Sequence, residues 1–409
     1  MNLKNLLQKY LPFMILLSVI FGILAGFIFE ESIGSAAWMG VIFMNALKMV
    51  IVPLIVSSLI MGMYRLGDVR KMGKTGVRTI FFYMTTMAIA VSIGLVLSNI
   101  IQPGEGIAET PSMSERKLPE GGYSFLNVIL GIVPSNIFSA FTEGRILSII
   151  FFSILFGGVL TTIGEKGKVL VDFFSGVEEV MIKIVFLILF VSPLGIFGLV
   201  AGQIANSGGV DNFLQDLWMI RFYVLNVVIG LLIHSLIVLP LLIRIFARRN
   251  PFTYLADLFP AVAVAFSTAS SSATLPVTMD CATRSGKISR KTSGFVLPLG
   301  ATINMDGTAL YEAAAAMFIA QMAGIELDLT QQFIVFLTAT LAAIGAAGIP
   351  EAGLVTMLLV LQAVNLPSEG IVFLLTVDWF LDRCRTAVNV WGDASVAAVI
   401  DHSMGSVKS

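Results

Sequence analysis

Residues 267–276 read STASSSATLP, a run of small and hydroxyl-bearing residues closed by proline, set where a simple membrane span would continue as apolar sequence. Arg248 and Arg249 precede it, and Arg284, Lys287, Arg290 and Lys291 follow it. Because Lys and Arg near span ends stay on the cytoplasmic side, both flanks are cytoplasmic. This segment therefore enters the bilayer and returns on the same side. A second interruption, residues 345–350 (GAAGIP), lies between an apolar run ending near Gly324 and another beginning near Ile371. Its flanks carry Glu326, Asp328 and Glu369 without Lys or Arg, which suits entry from outside. Each interruption precedes a helix that polar residues are expected to break: Asn304-Met305-Asp306-Gly307-Thr308 after the first, Asn389-Val390-Trp391-Gly392-Asp393 after the second. A hairpin and a broken helix, repeated with opposite entry, mark inverted repeats around a midplane binding site. Irregular backbone at that depth is stable only where protein buries it or it lines a watery cavity. One small-residue cluster alone would read equally well as close helix packing. The matched pair does not.

The rest of the chain agrees. Of 409 residues, 57% are hydrophobic and 12% charged, about half the roughly 25% charged share of a soluble domain. Six apolar stretches, at about 11–29, 36–63, 79–101, 125–162, 173–203 and 217–243, precede the first interruption, each long enough to cross a bilayer. Lys4 and Lys9 stand before the first of these, and no small-residue cleavage site follows, so it reads as a retained span. Arg65, Arg70, Lys71, Lys74 and Arg78, then Lys166 and Lys168, then Arg244, Arg248 and Arg249 mark alternate loops. The segment from Gln102 to Gly122 and the one from Asn206 to Asp216 should face outward, and both termini the cytoplasm. With 25 Lys+Arg against 26 Asp+Glu there is no basic excess for a nucleic-acid backbone. Cys281 and Cys384 lie far apart without a CxxC or Cys/His cluster, and read as free thiols.

The final apolar stretch carries Asp378, Asp382, Arg383, Arg385, Asn389 and Asp393. Each charge at the bilayer centre costs about 2.5–3.5 kcal/mol on insertion scales. At helical spacing Asp382, Thr386, Asn389 and Asp393 share one stripe with Arg385 at its border, and that stripe cannot face lipid. A carboxylate for an ammonium, a guanidinium for a carboxylate and an amide one turn on are complementary to an acidic amino acid. A purely structural Asp–Arg pair is the other reading of the same spacing. Asp306 and Asp393 each sit beside a glycine at an expected helix break, and hard oxygen ligands without His or Cys suit sodium better than a transition metal. Capping of a broken helix is the alternative. Glu312 is a carboxylate in apolar surroundings with no adjacent cation, which makes it a candidate proton carrier. His234 reads as a satisfied core histidine, and Glu351 as a tip residue facing solvent. No GxGxxG, P-loop, HExxH or GxSxG element stands in a plausible context, so an enzyme is not expected.

Four segments carry a resemblance: Ser270-Ser271-Ser272-Ala273-Thr274-Leu275-Pro276, Asn304 through Glu312, Gly345 through Pro350, and Asp382 through Asp393. In this order they resemble the signature segments of the dicarboxylate/amino acid:cation symporter family, the glutamate transporters. The likeness covers nearly the whole chain, including Leu47-Lys48-Met49 with Pro53. It implies an all-α membrane fold of eight transmembrane helices and two re-entrant hairpins, assembled as a homotrimer and working as an elevator. Residues 1–78 would then supply scaffold helices 1 and 2, 79–101 transport-domain helix 3, 102–212 the outer loop and scaffold helices 4 and 5, and 213–409 the remaining transport domain.

By resemblance, Ser270, Ser271, Ser272, Ala346, Ala347 and Gly348 close over the substrate. Thr308, Asp382, Arg385, Thr386 and Asn389 hold it, Asp382 taking the amino group and Arg385 the side-chain carboxylate. One sodium site is similar to Gly300, Asn304, Asn389 and Asp393; another would use Tyr83, Thr86, Asn304 and Asp306; a third would lie near Met305 and Thr308. Neutral amino acid exchangers of the family lack an arginine where Arg385 stands, and dicarboxylate carriers lack the carboxylates of Asp382 and Asp393. Archaeal sodium/aspartate members have glutamine at Glu312 and arginine at Ala269. Glu312 and Arg383 instead resemble the proton- and potassium-coupled excitatory branch. The lack of a long outer insertion between the fourth-span pieces implies a prokaryotic member. Met87 departs from the pattern, standing where a hydroxyl residue is usual beside Thr86.

The resulting expectation is a multi-pass symporter of the cell membrane that imports L-glutamate or L-aspartate with Na+ as cosubstrate, together with H+ and against K+. The alternatives are a neutral amino acid or C4-dicarboxylate transporter of the same fold, or a ligand-gated channel or sensor.

Overall fold

Helix caps and left-handed residues divide this apolar chain where its polar punctuation stands. The computed structural model describes residues 3–71, 73–106, 125–206, 209–346 and 352–405. Ala347, Gly348 and Glu351 of the second tip, and residues 107–124 of the expected outer loop, lie outside them. Every regular element among the described residues is helical: α1 (Leu3–Phe29), α2 (Ala37–Lys71), α3 (Lys74–Ile101), α4 (Phe125–Ile132), α5 (Ile137–Glu143), α6 (Ile146–Leu160), α7 (Lys168–Asn206) and α8 (Val210–Ile233). Beyond α8 the helix continues through a π-helical turn at His234–Val238, α9 (Leu239–Leu242) and a second π turn at Ile243–Ala247. Then follow α10 (Pro251–Thr268), α11 (Ser271–Arg284), α12 (Arg290–Ile303), α13 (Asp306–Met322), α14 (Leu329–Gly345), α15 (Ala352–Ala363) and α16 (Ile371–Ser403).

The first interruption is a helical hairpin, and its chemistry is local. Asn250 caps α10, its side chain accepting from the Phe252 and Thr253 amides, with Pro251 at the first helical position. Ala269 ends that arm in the left-handed region (φ 49°), and Ser270 starts the return by accepting from the Ala273 amide at 3.2 Å. The second hairpin, α14 and α15, begins at an Asp328/Gln331 capping box with both bonds at 2.8 Å. The fourth apolar stretch is three helices, not one span, broken around Pro134 and at Gly144 (φ 65°).

The expected break after the first hairpin is present. Asn304 (φ −101°, ψ 86°) and Met305 (φ −114°, ψ 62°) leave the helical region between α12 and α13. The expected break at Asn389–Asp393 is not, because α16 runs unbroken from Ile371 to Ser403. No proline removes a backbone donor there, and no residue of that stretch adopts positive φ. The polar side chains of Asn389 and Asp393 instead bond sideways to the gap between α12 and α13. A broken helix thus faces an intact one.

Packing divides the helices into two groups. The helices α1, α2, α6 and α7 pack on one another, while α3, α8 and the elements from α10 onward gather around α13 and α16. Across the boundary, both arms of the second hairpin pack on α2 and α15 also meets α6. The arms of the first hairpin pack on each other, on α12 and on α16. Among the described residues Ser32–Arg65, Lys74–Ile101, Gly164–Ala205 and Val210–Ala247 are long and apolar enough to cross a bilayer. The shorter apolar helices are Phe13–Phe29 within α1, the fourth-span piece Ile146–Leu160, and the second hairpin's arms Leu329–Gly345 and Gly353–Ala363.

Candidate functional site

On α16, Asp378, Asp382 and Arg385 are all buried, Arg385 completely. The Arg385 Nη2 lies 2.8 Å from Asp382 Oδ1 and 3.1 Å from Asp378 Oδ1. Its guanidinium stacks on Tyr311 of α13, with Cζ 3.8 Å from the ring centroid. The Nε and Nη1 atoms have no hydrogen-bond partner among the described residues. Those are the donors with which an arginine grips a second carboxylate. The start of α15 approaches the same group, since a Cβ on Gly353 would lie 2.9 Å from Nη1.

One turn along, Asn389 joins α16 to the start of α13. Its Oδ1 accepts from the Gly307 amide at 2.8 Å and its Nδ2 donates to Thr308 Oγ1 at 3.2 Å. Thr386 donates to the Asp382 carbonyl at 2.8 Å. Thr308, Asp382, Arg385, Thr386 and Asn389 are thus brought together, the four on α16 as their spacing implies and Thr308 as the resemblance implies. At the first tip the Ser270 hydroxyl caps α11, Ser271 is buried, and Ser272 is exposed. Ser272 lines a cavity of about 270 Å³ whose other walls are Thr302 and Ile303 of α12, Ile344, Gly345 and Ala346 of the second hairpin, and Ser58, Gly62, Arg65, Ser175 and Glu178 of α2 and α7.

The residues expected to take sodium form a second buried cluster around the α12–α13 gap. Asn304 bridges it: its Nδ2 donates to Asp393 Oδ1 at 3.0 Å, and its Oδ1 accepts from Thr86 Oγ1 at 3.3 Å. Tyr83 Oη donates to the Val296 carbonyl at 2.8 Å. Gly300 makes room there, because a Cβ would meet the Asp393 carboxylate and would sit 2.6 Å from Tyr83 Oη. Asp306 is wholly buried, and its Oδ1 has no hydrogen-bond partner among the described residues. Met305 is buried in the gap itself and Met87 packs beside Thr86 in α3, both without a hydroxyl to offer. A set of carboxylate, amide and hydroxyl oxygens in unwound backbone is chemistry for a hard cation.

Glu312, next to Tyr311 in α13, is wholly buried with Thr356 of α15 beside it. Arg383 is half-buried and bonds its own helix, Nη1 donating to the Trp379 carbonyl at 2.6 Å. The structure brings Glu312 toward the Arg385 cluster and leaves Arg383 apart from it.

Residues 11–403 match the sodium:dicarboxylate symporter family. The chain belongs to that family. Among its relatives, excitatory amino acid transporter 1 of Ambystoma tigrinum is 39% identical over 417 residues, covering 89% of this chain and 76% of the relative. Excitatory amino acid transporter 2 of Homo sapiens is 39% identical over 457 residues, covering 98% and 79%. Excitatory amino acid transporter 3 of Mus musculus is 40% identical over 415 residues, covering 89% and 78%. As a sodium:dicarboxylate symporter family member, the chain is an all-α, multi-pass membrane transporter and not an enzyme.

Three residues in this symporter-family site escaped assignment from sequence. Asp378 stood out as a charge, but only the structure pairs it with Arg385. Tyr311 carries no sequence signal beyond its place beside Glu312. His234, expected to be a satisfied core histidine, lies with Nε2 3.0 Å from Asp306 Oδ2, both side chains fully buried. A lone histidine in an apolar span does not reveal which distant carboxylate it meets.

Proposed function

We propose that this chain is a sodium-coupled symporter importing acidic amino acids, glutamate or aspartate. The observation that carries this reading is Arg385, buried between Asp378 and Asp382 with two donor nitrogens uncommitted. An entering amino acid presents its ammonium to Asp382 and its side-chain carboxylate to Arg385. Thr308, Thr386 and Asn389 supply neighbouring polar contacts, and Ser270–Ser272 with Ala346, Ala347 and Gly348 close the tips over it. The names of the relatives support an acidic substrate.

Sodium is the cosubstrate. The first site takes Gly300, Asn304, Asn389 and Asp393, the second Tyr83, Thr86, Asn304 and Asp306, the third the neighbourhood of Met305 and Thr308. Glu312 carries a proton inward, and we extend the reading to potassium counter-transport, with Glu312 and Arg383 as the coupling residues. The packing division supports a scaffold of α1, α2 and α4–α7 that trimerises in the cell membrane, both termini cytoplasmic. In this reading α3, α8 and the later elements slide against it as an elevator. Arg65 lies near the cytoplasmic end of α2 by the charge rule, and the cavity beside it also touches Ser272 of the first tip and Ala346 of the second.

Uptake of radiolabelled glutamate and aspartate into proteoliposomes tests this directly. An imposed sodium gradient should drive accumulation, which internal potassium and external acidity should raise further. Competition by serine or succinate but not by acidic amino acids would overturn the substrate class. Current without accumulation would overturn transport itself.

A further inference from the structure

We infer that His234 is a positioning residue for the cation cluster, holding the Asp306 carboxylate by one oxygen so that the other is presented to the ion. The inference rests on the reading of Asp306 as a sodium ligand and adds a residue to it.

A carboxylate on a short side chain turns about its terminal bond, and its two oxygens are equivalent until something distinguishes them. Here Asp306 Oδ2 is held and Oδ1 is not. His234 Nε2 stands 3.0 Å from Oδ2, and Oδ1 is the buried atom without a hydrogen-bond partner among the described residues. With an ionised carboxylate as acceptor, the Nε2–H is the donor. Gly392 of α16 also comes close to this oxygen, since a Cβ there would lie 2.7 Å from Oδ2 and 3.2 Å from Asn304 Nδ2. Oδ2 thus has both a ring nitrogen and side-chain-free backbone as neighbours. Oδ1 is the oxygen left for a ligand.

The sixth span is built to deliver that imidazole. His234 opens the π-helical turn His234–Val238, where the amide of Leu239 bonds back to the His234 carbonyl. Such turns are rare, appear as single-turn bulges inside α-helices and often mark functional positions. The bulge is fastened from outside, Trp391 Nε1 donating to the Ser235 carbonyl at 3.1 Å. Trp391 is the neighbour of Gly392, so one turn of α16 both locks the bulge and closes on Asp306 Oδ2. Partners that orient a ligating carboxylate are typically worth about 10–100-fold in metal affinity.

The test uses the full chain in proteoliposomes and in detergent. Sodium half-saturation is read from uptake and from sodium-induced thermal stabilisation without substrate; substrate half-saturation is read at saturating sodium. His234→Met keeps bulk and removes the donor, while His234→Gln returns an amide donor near the position of Nε2. The expected result is a sodium half-saturation raised about 10–100-fold in His234→Met, largely restored in His234→Gln, with substrate half-saturation unchanged. If His234→Met does not fold, His234→Asn, whose amide falls short of Oδ2, takes its place. Wild-type sodium dependence in the donor-free variant, equal shifts in both variants, or parallel loss of sodium and substrate affinity would each overturn the inference. Asp306→Asn separates the two levels. Unchanged sodium dependence in that variant removes Asp306 from the cation site and the inference with it; altered dependence there beside wild-type behaviour in His234→Met leaves the site standing and removes only His234.

Discussion

Arg385 and Asp382, the two residues matched to opposite ends of an amino acid, are bonded to each other, Nη2 to Oδ1 at 2.8 Å. They stand three positions apart on α16, on adjoining faces of one helical turn. Asp378 approaches the same nitrogen at 3.1 Å from the preceding turn. Two buried carboxylates thus share one guanidinium, and each member depends on the others to be buried there at all. In the proposed binding mode a substrate carboxylate would take Nε and Nη1, the donors still uncommitted, while Nη2 keeps its bond to Asp382. The pair would then stay in place as substrate enters, with Asp382 accepting from Arg385 and from the arriving ammonium at once.

Arg385→Cys should abolish uptake of glutamate and aspartate. It leaves Asp378 and Asp382 buried without their cation, a loss worth about 3–5 kcal/mol unless they take up protons. Arg385→Lys keeps the charge without the planar fork and should bind acidic substrate at least about tenfold more weakly while remaining folded. Radiolabelled uptake and thermal denaturation, read side by side, check both; retained glutamate affinity in Arg385→Cys would take Arg385 out of the site.

Glu312→Gln is nearly isosteric and removes the proton that a buried carboxylate carries. Uptake in this variant should remain driven by sodium and lose its acceleration by external acidity. Initial rates at two external pH values, with the sodium gradient held constant, decide it. Acceleration equal to wild type would mean that the proton travels elsewhere.

Gly300→Ala places a methyl group against the Asp393 carboxylate and 2.6 Å from Tyr83 Oη. That contact is tighter than atoms tolerate, so the ligand oxygens must shift. Sodium half-saturation should rise by about tenfold or more, with the helices otherwise intact. A sodium titration of uptake is the measurement, and an unchanged curve would move the cation away from Gly300.

Asp401→Ala should act on stability rather than on ions. Asp401 Oδ1 accepts from the Ser289 amide at 3.2 Å, from Ser289 Oγ at 2.6 Å and from Thr292 Oγ1 at 2.8 Å. It thereby ties the end of α16 to the cap of α12, while Arg249 donates to the Gly286 and Lys287 carbonyls in the turn between α11 and α12. Losing the carboxylate should cost about 2–3 kcal/mol and lower the thermal midpoint by about 2–4 °C. Sodium and substrate half-saturation should stay as they are.

Sequence by itself determined the class, the two hairpin interruptions and the helical face that gathers most of the candidate residues of α16. Those features are written locally: the hydroxyl-rich tip around Ser270, the Asn304–Met305 gap, and the helical spacing that sets Asp382, Thr386, Asn389 and Asp393 on one stripe. Spacing along a helix and the charge of its flanks need no knowledge of neighbours. It misjudged α16, because polar residues beside Gly392 look the same whether they break a helix or bond across it. Only the tertiary structure decided that Asn389 meets Gly307, that Asn304 joins Asp393 to Thr86, that Tyr311 lies under Arg385, and that His234 holds Asp306. Each of those is a partnership between helices far apart in the chain. A buried polar group must find some partner, and which one it finds is set by how the helices pack.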